Sequence, residues 1–265
     1  MCSTESNAKL PLVAVVTGAS RGLGKSIAME LSARGIDTLL VGTSSTVQTV
    51  CDEIESQYHT HSHCYITDLS VAHNVLDMAA DINQKYDVFI LVNNVGGGGS
   101  LEFLSATPEY LEKVIDLNVR CTTLLTYSLL PNLLRQKQSY VLNVGSLAAL
   151  TPVGYKTIYP ASKSFVRAFS LGLREELRNT NVSVTLCQPG AMATNADVTA
   201  RIERQGRLGR ATLKSTEWIA CRCVRQMLRR KPEAVISRLV QILSAIVPER
   251  VRTRVLTHIV KRELE

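Results

Sequence analysis

The sequence predicts an α/β fold, a doubly wound parallel sheet of about seven strands with helices on both faces. Three observations predict it. Short β-branched apolar runs alternate with longer helical patterns along the chain. The first run, Leu12–Val16, is wholly apolar, as a strand covered on both faces must be. A glycine-rich turn follows it at once and opens the first helix.

The elements follow in order. After Leu12–Val16 a helical pattern runs from about Leu23 to Arg34 and stops at Gly35, a residue suited to the left-handed position past a helix end. Thr38–Val41 reads as the second strand, Val47–Gln57 as a helix, Cys64–Thr67 as the third strand and Val71–Lys85 as a helix. Val88–Asn93 is the fourth strand. One long helix is expected from Pro108 to Leu134, with Pro108 in its first turn and Pro131 near its end. Tyr140–Val144, a helix over Lys156–Arg178, Val182–Cys187 and a short seventh strand over Ala234–Ser237 complete the sheet. With no linker-like tract and no repeat, residues 1–265 are expected to form one domain, with a lid over about 191–214 and a basic amphipathic helical segment over about 238–264.

Composition narrows the function classes. The chain has 265 residues, 45% hydrophobic and 20% charged, which fits neither disorder nor a membrane-spanning protein. Its seven cysteines, an odd number without a paired framework, lead to the expectation of reduced thiols and a cytoplasmic setting. The polar stretch Met1–Leu10 shows no secretory signal. The net charge of +7 is uneven: residues 1–200 hold 14 Lys+Arg against 17 Asp+Glu, and residues 201–265 hold 16 against 6. The basic C-terminal quarter suits an anionic membrane surface, an anionic substrate tail or a nucleic acid.

The turn Thr17-Gly18-Ala19-Ser20-Arg21-Gly22-Leu23-Gly24 lies between the first strand and first helix. There Gly18 permits the tight turn, Gly22 lets backbone approach a pyrophosphate, and Gly24 lets helix and strand pack closely, a Rossmann-type arrangement. A carboxylate after the second strand would bind the ribose hydroxyls of NAD. The stretch Val41-Gly42-Thr43-Ser44-Ser45 has none, while Arg21, Thr43 and Ser44 can meet a 2′-phosphate. NADP(H) is therefore favoured over NAD(H).

Tyr159 and Lys163 are four residues apart on one helical face. An ammonium there would lower the phenol's pKa, and the pair could exchange a proton with a carbonyl or alcohol oxygen. Ser146, just past the fifth strand, could hydrogen-bond that oxygen. His59, His61, His63 and Cys64 share faces of an extended segment but suggest no closed ligand set, so no metal is expected.

Over residues 11–195 the chain resembles the short-chain dehydrogenase/reductase family. The resemblance rests on Thr17-Gly18-x-x-x-Gly22-x-Gly24, Asp68-Leu69, Asn93-Asn94-x-Gly96, Asn118, Ser146, Tyr159-x-x-x-Lys163, and Pro189-Gly190 followed by Thr194, in that order. It implies that Tyr159 is the general acid in reduction and base in oxidation. Lys163 would hold the nicotinamide ribose, Ser146 would orient the substrate oxygen, and Asn118 would hold a water in a relay through Lys163. It further implies that Asp68 contacts adenine, that Asn94 supports the site and sheet, and that Thr194 meets the carboxamide. Ser20, Leu23, Leu69, Gly96, Pro189 and Gly190 complete the expected cofactor site. Departures are small: Val95, Gly145 and Gln188 replace commoner residues, and Gly96–Gly99 form a four-glycine run, either a loop in close contact with ligand or a slack connector.

The tail adds Leu239, Ile242, Leu243, Ile246 and Val247 at helical spacing, then Val251, Val255, Leu256 and Ile259 among Arg250, Arg252, Arg254, Lys261 and Arg262. It suits packing on its own domain or a partner subunit, or resting peripherally on an anionic membrane. It is similar to tails of reductases for lipophilic carbonyls. The expectation is an NAD(P)-dependent oxidoreductase for a moderately apolar carbonyl or alcohol such as a 3-oxoacyl thioester, steroid or long-chain ketone. It is expected to be a dimer or tetramer and to have no nucleic-acid partner. The alternatives are an epimerase or dehydratase on this fold, and a cofactor-binding regulatory or membrane-associated protein.

Overall fold

The computed structural model describes residues 10–190, 192, 214–234, 236–262 and 264. Thr194 and nearly all of the expected lid lie outside them.

The strands are β1 (Leu12–Thr17), β2 (Thr38–Gly42), β3 (Ser62–Ile66), β4 (Asp87–Asn93), β5 (Ser139–Val144), β6 (Val182–Cys187) and β7 (Glu233–Ala234). They form one parallel sheet in the order β3-β2-β1-β4-β5-β6-β7. The order reverses direction between β1 and β4, which opens a crevice beyond their carboxyl ends, where ligands bind in such sheets.

Period-two alternation divides the core. Ala14 and Val16 of β1 pack into one apolar cluster with helices α1 (Gly22–Ser32) and α2 (Thr46–Tyr58) and with α7 (Thr216–Leu228). Val13 and Val15 point the other way, towards α3 (Ala72–Lys85) and α5 (Thr122–Arg135). All four are at most 1% exposed, so the unbroken apolar run reflects burial on both faces. The remaining helices are α4 (Pro108–Ile115), α6 (Ile158–Glu176), α8 (Arg238–Ile246) and α9 (Glu249–Lys261).

Several expectations are corrected. The helix expected over Pro108–Leu134 is α4 and α5 joined by a widened π-turn, Asp116–Cys121, a form that frequently marks functional sites. Pro131 lies in the last turns of α5, four residues before its end at Arg135, as expected. β3 begins at Ser62, because Thr38 and Ser62 are register partners and their hydroxyls are 2.9 Å apart. β7 covers Glu233–Ala234, where it pairs with Leu186 and Cys187. Not every thiol is free: Cys187 at the end of β6 is bonded to Cys223 of α7, with Cα atoms 6.2 Å apart. Both are wholly buried, and their separation of 36 residues gave no hint in the sequence.

The C-terminal helices dock on their own chain. Arg252 donates to the Leu150 carbonyl and the Thr151 hydroxyl, and the Gly154 amide donates to Thr257 Oγ1 at 2.9 Å. No described helix is long and apolar enough to cross a membrane.

Candidate active site

Gly18 and Gly22 adopt φ of +65° and +58°, conformations that L side chains seldom take. A Cβ on Gly24 would stand 2.2 Å from the Gly18 carbonyl oxygen, so α1 passes directly over the turn. The first turn of α1 has no side-chain cap on Arg21 and no acidic residue. Its amides and the positive end of its dipole therefore remain open to an anion. Gly42, which the sequence reading did not single out, closes the cradle: a Cβ there would lie 2.3 Å from Ser20 Oγ. The signal was a glycine at a strand end.

Polar side chains lock this cradle to the sheet. Thr17 Oγ1 donates to the Val92 carbonyl and accepts from the amides of Asn94 and Val95 at 2.9 and 3.0 Å. Asn94 Nδ2 donates to the carbonyls of Thr17 and Gly18. Cutting either side chain would leave buried backbone groups of β1 and β4 unpaired.

A cavity of about 1310 Å³ extends from this cradle over the carboxyl ends of the strands. Its lining includes Gly18, Ser20, Arg21, Gly22, Leu23, Gly24, Thr43, Ser44, Asp68, Leu69, Asn94, Gly96, Ser146, Tyr159, Lys163, Pro189 and Gly190. Of the expected site residues, only Asn118 and Thr194 are not among the lining; Thr194 lies outside the described residues. Asp68 is the one acidic residue of the described lining, against Arg21, Lys113, Lys156, Lys163 and Arg252. Its carboxyl is held below the usual range by the Ser70 amide and hydroxyl. The cradle, the open helix terminus and the cationic lining fit a dinucleotide carrying several phosphates.

Ser146, Tyr159 and Lys163 line the same cavity. Lys163 is 5% exposed and donates from Nζ to the Val144 carbonyl at 3.0 Å. Burial pushes it down to about 8. Its Nζ is 5.9 Å from the centroid of the Tyr159 ring. Burial raises the Tyr159 phenol above 10, and the Ser146 hydroxyl pulls the other way. The direction is opposite to the one expected from a neighbouring ammonium, and burial is its largest cause. Ser146 Oγ accepts from the Ala148 amide at 3.1 Å, which leaves its proton free to donate.

Asn118, buried in the π-turn, spends its side chain on protein. Oδ1 accepts from the Gly97 amide at 3.0 Å, and Nδ2 donates to the Gly97 carbonyl at 2.9 Å and to Ser162 Oγ at 2.8 Å. It thereby ties the glycine run to α6. The run itself is tight at alternate positions. A Cβ on Gly96 would stand 2.4 Å from Asn118 Oδ1 and 3.2 Å from Lys163 Nζ; one on Gly98 would stand 2.4 Å from Tyr159 Cδ2; one on Gly97 would meet nothing within 4 Å. The close contacts are thus with Asn118, Lys163 and Tyr159.

Comparison with known proteins agrees. The family model described as short chain dehydrogenase matches residues 12–205. An uncharacterized oxidoreductase of Staphylococcus epidermidis is 33% identical over 69% of this chain and 78% of its own length. The very-long-chain 3-oxoacyl-CoA reductase of Coprinopsis cinerea is 33% identical over 64% of this chain, which spans about half, 52%, of that protein. The crystal structure of a metagenomic short-chain oxidoreductase in complex with NADP is 30% identical, covering 69% of this chain and 82% of that one with a TM-score of 0.64. With its fold, its phosphate cradle and the matched segment in agreement, the chain belongs to the short-chain dehydrogenase/reductase family and is an oxidoreductase.

Proposed function

We propose that this protein reduces the carbonyl of a moderately apolar substrate with NADPH, or oxidises the corresponding alcohol with NADP. The observation that carries this reading is that Ser146, Tyr159 and Lys163 line the same cavity as the glycine cradle. The nicotinamide, when bound, supplies or accepts the hydride. The chain handles the proton. Ser146 donates to the carbonyl oxygen and orients it. Tyr159, kept protonated by its raised pKa, gives its proton to the oxygen as negative charge develops there, a placement that favours the reductive direction. Lys163 holds the nicotinamide ribose and returns a proton to Tyr159, while Asn118, whose side chain is taken up by Gly97 and Ser162, positions the glycine loop beside them rather than holding a relay water.

Preference for NADP rests on Arg21, Thr43 and Ser44, which are exposed at the cavity's edge where a 2′-phosphate would lie. Asp68 and Leu69 flank the adenine, and Thr194 meets the carboxamide. The relative from C. cinerea, named for very-long-chain 3-oxoacyl-CoA, supports an apolar acyl substrate. Exposed Ile115, Tyr127 and Phe165 on α4, α5 and α6 suit a homo-oligomeric contact. Exposed Ile242 and Ile246, with Arg250 and Arg254 nearby, suit peripheral contact with an anionic membrane.

The test is NADPH consumption by the purified protein against 3-oxoacyl thioesters, keto-steroids and long-chain ketones, with NADH in parallel. Turnover with NADPH that is lost in Tyr159→Phe, with NADPH binding retained, is the expected result. Tight NADPH binding with no turnover on any carbonyl would remove the reading.

A further inference from the structure

The cavity does not end at the catalytic wall. It continues along α8 and α9, where Val240 and Ser244 at i and i+4 face it from α8, Val247 from the turn that follows, and Arg252, Leu256 and Ile259 at i, i+4 and i+7 from α9. All six are half-buried, while Ile242 and Ile246, on the other side of α8, are 55% and 73% exposed and take no part in the lining. Leu150 and Val153, just beyond Ser146, form the facing wall.

The two walls are fixed to one another. Arg252 donates to Leu150 and Thr151, and Thr257 accepts from Gly154. The hairpin is therefore anchored to the loop that carries Ser146. The cavity, about 1310 Å³, also exceeds the ~300–1,000 Å³ of a pocket for one drug-sized ligand.

We infer that the α8–α9 hairpin is a chain-length gauge. The substrate is a carbonyl compound with an extended apolar chain that runs from Ser146 and Tyr159 between Leu150 and Leu256, and Val247 and Leu256 set the length accepted. Arg252 is a positioning residue that holds the gauge against the catalytic loop. This inference rests on the carbonyl-reductase reading of the site.

The experiment compares 2-butanone with 2-tridecanone as substrates of the full chain with NADPH, in the wild type, Leu256→Trp and Val247→Phe. Expected is a loss of about tenfold or more in kcat/KM for 2-tridecanone in each variant, with 2-butanone changed less than about twofold. Equal losses at both lengths with unchanged melting temperature, or no loss in either variant, would overturn the gauge. A variant that melts early is set aside and the other decides. A binding arm separates this inference from the catalytic reading. The fluorescent ketones prodan and laurdan share a head and differ in acyl length. If the wild type turns over no ketone yet binds laurdan, and Leu256→Trp loses laurdan but keeps prodan, the gauge stands while the catalytic reading falls. No laurdan binding by the NADPH-loaded wild type overturns the gauge.

Discussion

Gly98 lies against the ring of Tyr159 so closely that a Cβ on it would stand 2.4 Å from Cδ2 and 2.8 Å from Cβ of the tyrosine. The loop and the Tyr159 side chain thus share one packed surface. Gly98→Ala should displace the phenol and lower kcat by roughly a hundredfold, the scale of an ångström misplacement, with NADPH affinity nearly unchanged. Gly97→Ala, whose Cβ would meet nothing within 4 Å, is the control and should retain nearly full activity. Equal effects of the two would refute this account of the loop.

Lys163 gives two pH predictions. Its folded pKa of about 8 lies below the ordinary 10.5, so protonated Lys163 costs stability. The cost is full below about pH 8 and fades as pH rises from about 8 to 10.5. At most it is roughly 3 kcal/mol. Lys163→Met should therefore gain stability at pH 7 relative to pH 10, less the lost hydrogen bond to Val144, as read by urea melts at both values. In catalysis, ketone reduction should fall as pH rises through about 8, where Lys163 loses the proton it returns to Tyr159. Lys163→Arg should move that fall upward, and an unmoved profile would exclude Lys163 as its source.

Cofactor choice is open to a direct exchange. Arg21→Ala should weaken NADPH by roughly ten- to a hundredfold through loss of a charge-assisted phosphate contact, with NADH changed little. Thr43→Asp should move preference further towards NADH by repelling the 2′-phosphate. Titration of both nucleotides by fluorescence checks it, and equal weakening of the two would mean that Arg21 contacts only the shared phosphates.

The outer face of the hairpin has its own test. Arg250→Glu with Arg254→Glu should reduce binding to phosphatidylserine vesicles by about 2 kcal/mol or more, at about 1 kcal/mol per basic residue removed near the surface. The activity on soluble 2-butanone should be unchanged. Cosedimentation at low and high salt measures it. If the wild type never binds, membrane contact by this face is refuted.

Much of this was legible in the sequence because burial writes strongly. The runs at Leu12, Val88 and Val182 had to be central strands, and the glycine turn beside Leu12–Val16 had to sit at their carboxyl ends. Other features leave weaker marks. A π-turn over six residues has nearly the same apolar pattern as an α-helix, so Asp116–Cys121 was absorbed into one long helix. Gly42 and Gly98 act through what a Cβ would strike, which depends on residues distant in the chain. Cys187 and Cys223 meet only because β6 and α7 pack together. The stripe Leu239, Ile242, Leu243, Ile246 and Val247 read as one face, whereas Leu243 and Val247 line the cavity together with Val240 and Ser244, and Ile242 and Ile246 do not.

One helix, α9, carries Arg250 and Arg254 on the outside and Leu256 and Ile259 against the cavity, all within about two and a half turns. Whatever grips its outer face therefore acts on the same rigid body that a ligand touches from within. Thermodynamic linkage makes such an effect mutual. If an anionic surface changes substrate affinity by a given factor, substrate must change affinity for that surface by the same factor, so occupancy inside the protein would be readable from its attachment outside.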